Sequence, residues 1–272
     1  MLGVVDDDLQ FAPDLYRGAA EYYDQFRLPY PEAMLTDLVR RAGASGGRLL
    51  DLACGTGQLA LPLASWFSQV RAVDREPDMI SLVRAKASVA GARNLKASVS
   101  DAEKLHAEPG SFDLVVIGNA FHRLRRSQVA AQVLEWLTPG GCLALCWSTG
   151  PSAGGADWQR RLADLLDEWQ TRLGAEDRVP VGWERPRAEH PDAIVLSEAG
   201  FEIVGKSEFP VQHRWSVPEL AGYVRSTSAL PPPVLGDQAD EFDASLAAAM
   251  GPYAELASTI SFAYELARKP SP

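Results

Sequence analysis

At 272 residues the chain is long enough for one large α/β domain, or for a core domain with a small cap, and needs no second independent core. Hydrophobic residues at 46% and charged residues at 23% exclude a disordered chain, and a formal net charge of −10 excludes a sequence-independent grip on nucleic acid, which takes a basic surface. No run approaches the roughly 20 apolar residues of a membrane span, and the start MLGVVDDDLQ lacks a basic stretch followed by an apolar one, so a soluble, cytoplasmic protein is expected.

From Arg48 to Trp147 short apolar runs alternate with helical patterns, the signature of βαβ units and a parallel sheet. Strands are expected at Arg48–Ala53, Val70–Asp74, Leu95–Ser100, Phe112–Gly118 and Cys142–Trp147. Pro77 suits the first residue of a helix running to about Gly91, and Ser127 suits the N-cap of a helix over Val129–Leu137 that ends in a sharp turn at Pro139-Gly140-Gly141. Cys54, Cys142 and Cys146 have neither disulfide nor paired CxxC zinc spacing, and no metal site is expected; Cys142 and Cys146 should share one face of a buried strand.

Beyond Trp147, STGPSAGGA reads as a flexible connection. Trp158, Leu162, Leu165, Leu166, Trp169 and Leu173 then fall at helical spacing, closed by Gly174 as a C-terminal stop. Phe201–Val211 and about Thr259–Ala267 read as two further strands. Val217–Ser226 and Asp240–Met250 read as helices, with Pro231–Pro233 between them.

The stretch LLDLACGTGQLA joins a strand ending near Ala53 to a helix beginning near Gln58. Gly55 and Gly57 fall where the chain must turn tightly and where a ligand approaches the backbone. Taken alone, Gly55–Ala60 as G-x-G-x-x-A suits a dinucleotide as well. Asp74, ending the second strand in VRAVDREPDMI, is placed to accept from both hydroxyls of a ribose. Asp101 in ASVSDAEKL follows the third strand, where its side chain can accept from an adenine amino group while Ala102 offers a backbone N–H.

In this order and spacing, LLDLACGTG, AVDREPDM, VSDAEKL, FDLVVIGNAFHRL and LTPGGCLAL resemble the successive motifs of class I S-adenosylmethionine-dependent methyltransferases. The resemblance runs from about Tyr16 to Trp147, more loosely beyond, and is strongest with small-molecule enzymes of the ubiquinone, menaquinone and bacterial secondary-metabolite kind. It implies a Rossmann-like three-layer α/β/α sandwich whose seven-stranded sheet has order 3-2-1-4-5-7-6 with an antiparallel seventh strand. It also implies one domain throughout: an N-terminal helical flap over 1–45, a cofactor-binding core over 46–148, and remaining strands with helical cap insertions over 149–272. Asp51, Ala53, Gly55, Thr56 and Gly57 would then surround the methionine moiety, and Asp74 would hold the ribose with Arg75 at its border. Met79 would cover the adenine, Asp101 and Ala102 would read its edge, and Asn119 with Ala120 would lie near the sulfonium.

The flap YRGAAEYYDQFRLPYP resembles one in which a Tyr and an Arg reach the methionine carboxylate. Tyr23 and Arg27, four apart, can share a helix face, and an arginine matches a carboxylate bidentately. Tyr16, Tyr22 and Tyr30 either line the pocket or pack, with packing the plainer reading. His122, three residues after Asn119, suits a general base by its titration range or a loop-ordering residue, and Arg123 stands where relatives often carry Trp. The function expected is methyl transfer to an O, N or C nucleophile of a small molecule, with S-adenosylmethionine as donor and S-adenosylhomocysteine as product. Segments near Gly150–Pro191 and His213–Pro252 would shape the acceptor pocket. The acids Asp237, Asp240, Glu241 and Asp243 raise an amine-bearing acceptor such as an amino sugar, against the plainer reading of solvated helix-face carboxylates. An NAD-dependent oxidoreductase shares the glycine turn and strand-end acid but would want a Tyr-x-x-x-Lys pair that is not seen; a non-methylating cofactor-binding protein is the other alternative.

Overall fold

The computed structural model describes residues 11–12, 14–179 and 188–271; the chain start and part of the expected Gly150–Pro191 cap segment lie outside these. The seven strands are β1 (Arg48–Leu52), β2 (Gln69–Asp74), β3 (Leu95–Val99), β4 (Phe112–Gly118), β5 (Leu137–Ser148), β6 (Glu202–Arg214) and β7 (Ala257–Arg268). They form one sheet in the order β3-β2-β1-β4-β5-β7-β6, parallel from β3 through β5, with β7 antiparallel to both neighbours. This is the expected Rossmann-like topology.

Alternation along the central strands divides the core in two, as a sheet buried on both faces requires. Leu49, Leu114, Val116, Cys142, Ala144 and Cys146 face one layer, so the two cysteines do share a face. Leu50, Leu52, Val115, Ile117, Leu143 and Leu145 face the other. The helices preceding and covering the sheet are α1 (Ala20–Phe26), α2 (Glu32–Ala42), α3 (Ala60–Leu63), α4 (Pro77–Val89) and α5 (Arg126–Trp136). Pro77 opens α4 as expected.

Three local expectations are corrected. Helix α5 begins at Arg126 with Arg125 at its N-cap, not with Ser127. The Arg126 side chain, 2% exposed, donates to Asp192 at 2.7 Å, and this buried pair draws the first turn inward. Pro139-Gly140-Gly141 is no simple stop: β5 already begins at Leu137, paired with Phe112, and Gly140 at φ 76° docks on Lys269 through its N–H at 3.1 Å. The stretch 148–156 is pinned, because Gln159 donates to the Pro151 carbonyl at 2.7 Å and accepts from the Ala156 N–H at 3.2 Å.

The remaining helices are α6 (Asp157–Arg172), α7 (Asp192–Ala199), α8 (Val217–Arg225), α9 (Pro232–Leu235) and α10 (Ala239–Met250). Helix α8 starts on a capping box, in which Ser216 Oγ accepts from the Glu219 N–H and Glu219 accepts from the Ser216 N–H. Trp169 of α6 meets Phe242 of α10 edge to face at 5.4 Å between ring centroids, and α8 lies on α1. The contact is close at Gly222, where a Cβ would stand 2.4 Å from the Phe26 ring. Helices α6, α8 and α10 thus form a cap that grips the flap beside the carboxyl ends of the strands, where ligands bind in open α/β sheets.

Candidate active site

The turn after β1 is built around left-handed backbone. Ala53, Gly55 and Gly57 have φ of 58°, 52° and 82°. A Cβ on Gly57 would also stand 3.1 Å from Leu61 and 3.2 Å from Val83, so this position admits only glycine without displacement. Ala53 and Asn119, the latter at φ 50°, are the non-glycine residues in this conformation among those described, and they end β1 and β4 side by side. Such strain, of order 1–3 kcal/mol each, concentrates where a ligand is held.

Asp51 lies under the turn, 1% exposed, and accepts from the Ala60 N–H at 2.8 Å, satisfying a donor at the start of α3. Burial pushes its carboxyl up to about 7, with the Asp74 charge adding to the shift. Thr56 is fully buried, and its hydroxyl has no hydrogen-bond partner among the described residues.

At the end of β2, Asp74 accepts from the Gly55 N–H at 2.8 Å and the Glu76 N–H at 2.9 Å. A carboxylate offers about four acceptor positions, so capacity remains toward the cleft it lines. Burial raises its pKa, opposed by those amides. Asp101, after β3, accepts from Lys104 Nζ at 2.8 Å and has Arg75 Nε at 3.5 Å; the Lys104 bond first, then the Arg75 charge, holds its carboxyl below the usual range.

These groups converge on one cleft at the carboxyl ends of β1 to β4, where ligands bind in open α/β sheets. Of the expected site residues it is lined by Tyr23, Ala53, Gly55, Asp74, Arg75, Met79, Asp101, Ala102, Asn119 and Ala120. Asp51, Thr56 and Gly57 shape the turn from beneath and do not line it. Asn119 joins β4 to β5 and to the flap: its Oδ1 accepts from the Ser148 N–H at 3.1 Å and its Nδ2 donates to Tyr30 Oη at 3.2 Å.

Arg27 stands one ring away from the cleft. It is the residue capping α1, its guanidinium lies 5.0 Å from the Tyr23 ring centroid, and its donors go to the cap: Ser226 Oγ at 2.8 Å and Tyr223 Oη at 3.0 Å. His122 sits in the short turn Phe121–Arg123 but is not among the residues lining the cleft, whereas Arg123 is. Tyr22 and Tyr30 pack as expected, Tyr22 on Phe26 and Tyr30 on Phe262. Tyr16 does more than pack: it lines the cleft and meets Arg123 through its hydroxyl and its ring face.

Residues 49–141 match the methyltransferase domain family. An uncharacterized methyltransferase of Mycobacterium tuberculosis is 30% identical over 151 residues, which make 56% of this chain and 58% of that one. The chain thus spans somewhat over half the length of the curated relatives it matches. A candidate type II methyltransferase of Anaeromyxobacter dehalogenans superposes with a TM-score of 0.61 at 23% identity, over 91% of this chain and all of the other. The [4+2]-cyclase SpnF superposes at 0.53 with 23% identity, over 91% of this chain and 85% of that one, and shares the fold. The chain carries a methyltransferase domain of the class I fold.

Within the methyltransferase domain, Glu76, Ser100, Glu103 and Leu124 also line the cleft and were not singled out from the sequence. Each neighbours a recognised motif residue, and that adjacency is the one signal that could have found them. Two of the four acids that raised an amine-bearing acceptor are engaged with arginines: Glu241 takes two bonds of 2.7 Å from Arg172, and Asp243 pairs with Arg225 at 2.7 Å.

Proposed function

We propose that the chain catalyses S-adenosylmethionine-dependent methyl transfer to an oxygen, nitrogen or carbon nucleophile of a small molecule, in bacterial secondary metabolism and in the cytoplasm. The observation that carries this reading is Asp74, a carboxylate fixed by two backbone amides with acceptor capacity left on the cleft side, opposite the Asp101 and Ala102 edge. The residues present fit the cofactor. Asp74 would take the ribose hydroxyls, Met79 and Ala102 the adenine faces and edge, and the Ala53–Gly57 turn the methionine portion, where the Thr56 hydroxyl lacks a partner.

When bound, S-adenosylmethionine supplies a methyl group on a positively charged sulfonium. The chain's part is to align the acceptor with that methyl and to exclude water, which supplies most of the acceleration such a displacement needs. Tyr23, Asn119 and Ala120 bound the space where the two reactants would meet, and the flap and cap close it. Arg27 would reach a methionine carboxylate by leaving Ser226 and turning about the Tyr23 ring.

Calorimetry with S-adenosylhomocysteine, S-adenosylmethionine and NAD tests the reading, followed by mass spectrometry of small-molecule acceptors incubated with labelled methyl donor. Binding of the adenosyl ligands without NAD, and transfer of label, are expected. Binding of NAD instead would favour the oxidoreductase reading. Tight cofactor binding with no label transferred to any acceptor would favour the non-methylating one, and SpnF, named a cyclase, shares this fold.

A further inference from the structure

Arg123 is the cation of the cleft that no acid neutralises. Among the described residues no carboxylate forms an ion pair with it, and it meets Tyr16, whose hydroxyl it contacts and whose ring its guanidinium overlies at 4.7 Å from the centroid. Of the arginines described, the two that are buried outright are paired, Arg126 with Asp192 and Arg225 with Asp243, both at 2.7 Å, whereas the half-buried Arg123 and Arg27 meet hydroxyls and aromatic rings instead. A guanidinium taken from water without a counter-ion is costly, and it is retained where a ligand supplies the missing charge.

Its position separates it from most of the acids of the cleft. Asp74, Glu76 and Asp101 gather beyond β2 and β3 and Glu103 turns its carboxylate to the Arg125 N–H at 3.3 Å, whereas the Arg123 guanidinium lies under the flap and toward Tyr223 of the cap. Tyr223 in turn stands against Gly150, just past β5, where a Cβ would lie 3.1 Å from its hydroxyl. Tyr16, Tyr23 and Tyr223 roof this region, bridged by Arg27, whose guanidinium lies over both Tyr23 and Tyr223. Burial lowers the Arg123 pKa to about 10, so the group stays cationic at neutral pH.

Resting on the methyltransferase reading above, we infer that Arg123 anchors a carboxylate on the acceptor, and that the acceptor is an anionic small molecule rather than an amine. Arg27, in the same roof, is held by Ser226 and Tyr223 and on the reading above serves the methionine carboxylate, so Arg123 is left as one guanidinium to balance one negative charge, which favours a carboxylate over a phosphate monoester. The planar fork gives it two parallel hydrogen bonds, and the Tyr16 ring holds the plane.

The test uses the full chain loaded with S-adenosylhomocysteine and matched probes: benzoate with benzamide, indole-3-acetate with indole-3-acetamide, and phenyl phosphate, each titrated by ligand-observed NMR. The carboxylate of a pair is expected to bind at least about tenfold more tightly than its amide in the wild type, a preference lost in Arg123→Gln and kept in part by Arg123→Lys. No carboxylate preference in the wild type, or one that survives Arg123→Gln, overturns the inference, as does tighter binding of phenyl phosphate than of benzoate. A parallel comparison of S-adenosylhomocysteine with 5′-methylthioadenosine, which lacks the amino-acid portion, guards the assignment. A loss in Arg123→Gln confined to the former would give Arg123 to the cofactor and also overturn it. Failure of S-adenosylhomocysteine to bind the wild type would instead bring down the methyltransferase reading, and the probe titrations without it would still report on Arg123.

Discussion

Cofactor affinity should depend on pH through Asp51. The fold holds this carboxyl at about 7 because it is buried beneath the glycine turn and close to the Asp74 charge. Between its ordinary value of 3.8 and about 7 the folded chain therefore binds more protons than the unfolded one, so stability falls as pH rises through that window and levels off above it. The shift of about 3 units sets a ceiling of about 4 kcal/mol on that loss. A cation docked across the turn favours the ionised carboxyl, and S-adenosylmethionine brings two positive charges. If the complex requires the carboxylate, protonation of the empty site weakens binding by a factor of 1 + 10^(7 − pH), so affinity should rise roughly fivefold between about pH 6 and pH 7. Below about pH 7.5 the ligand's own α-amino group stays mostly protonated and does not mask the effect. Calorimetry at the two pH values measures it, with Asp51→Asn as the control expected to lose the slope and to flatten the pH dependence of thermal stability. Equal affinity at both pH values, or an undiminished slope in Asp51→Asn, would refute the reasoning.

Three further outcomes follow from the geometry. Asp74→Ala should weaken the adenosyl ligand by about 1.5–3 kcal/mol, the worth of hydrogen bonds to a charged acceptor, while leaving a folded protein by circular dichroism; unchanged affinity would remove Asp74 from the site. Gly57→Ala combines a left-handed backbone with contacts of 3.1 and 3.2 Å to Leu61 and Val83, and should lower stability by about 1–3 kcal/mol in denaturant titration; a neutral result would mean that the turn relaxes freely. His122→Gln should change the single-turnover rate by less than about tenfold, below the 10²–10⁴ expected of a general base, because His122 does not line the cleft. A larger loss together with a vanished pH step near neutrality would restore it as the base.

The first four strands and their order of motifs were legible because each is an apolar run ended by a turn residue, and Asp74 and Asp101 fall at strand ends where register is fixed. What escaped the sequence depends on contacts between distant segments. Ser127 has the chemistry of an N-cap, yet α5 starts at Arg126 because Asp192, on another helix, neutralises that arginine in the core. The edge strand β6 runs on to Arg214, beyond the expected Val211, since pairing with β7 organises polar residues that carry no apolar signal. Tyr23 and Arg27 lie together, as their spacing implies, but the arginine turns to Ser226 and Tyr223, a cap that no local pattern joins to the flap. That Arg123 rather than His122 lines the cleft depends on the phase of the short turn Phe121–Arg123, which periodicity does not specify.

The cleft is divided by charge, and the division has an energetic logic. Asp51, Asp74 and Glu76 all have their carboxyl pKa values raised, first by burial, with the Asp74 charge adding to the shift at Asp51 and Glu76; assembling them therefore costs the free protein stability. Arg123 bears the opposite penalty on the other side, a cation withdrawn from water beside an aromatic ring. The two groups do not cancel one another within the protein, because no described carboxylate forms an ion pair with Arg123. On the methyltransferase reading the acids meet a cationic donor and the arginine an anionic acceptor, so each unfavourable half is relieved by its own ligand. Ligand charges then draw toward each other across the cleft, which aligns the acceptor with the methyl group before any bond changes.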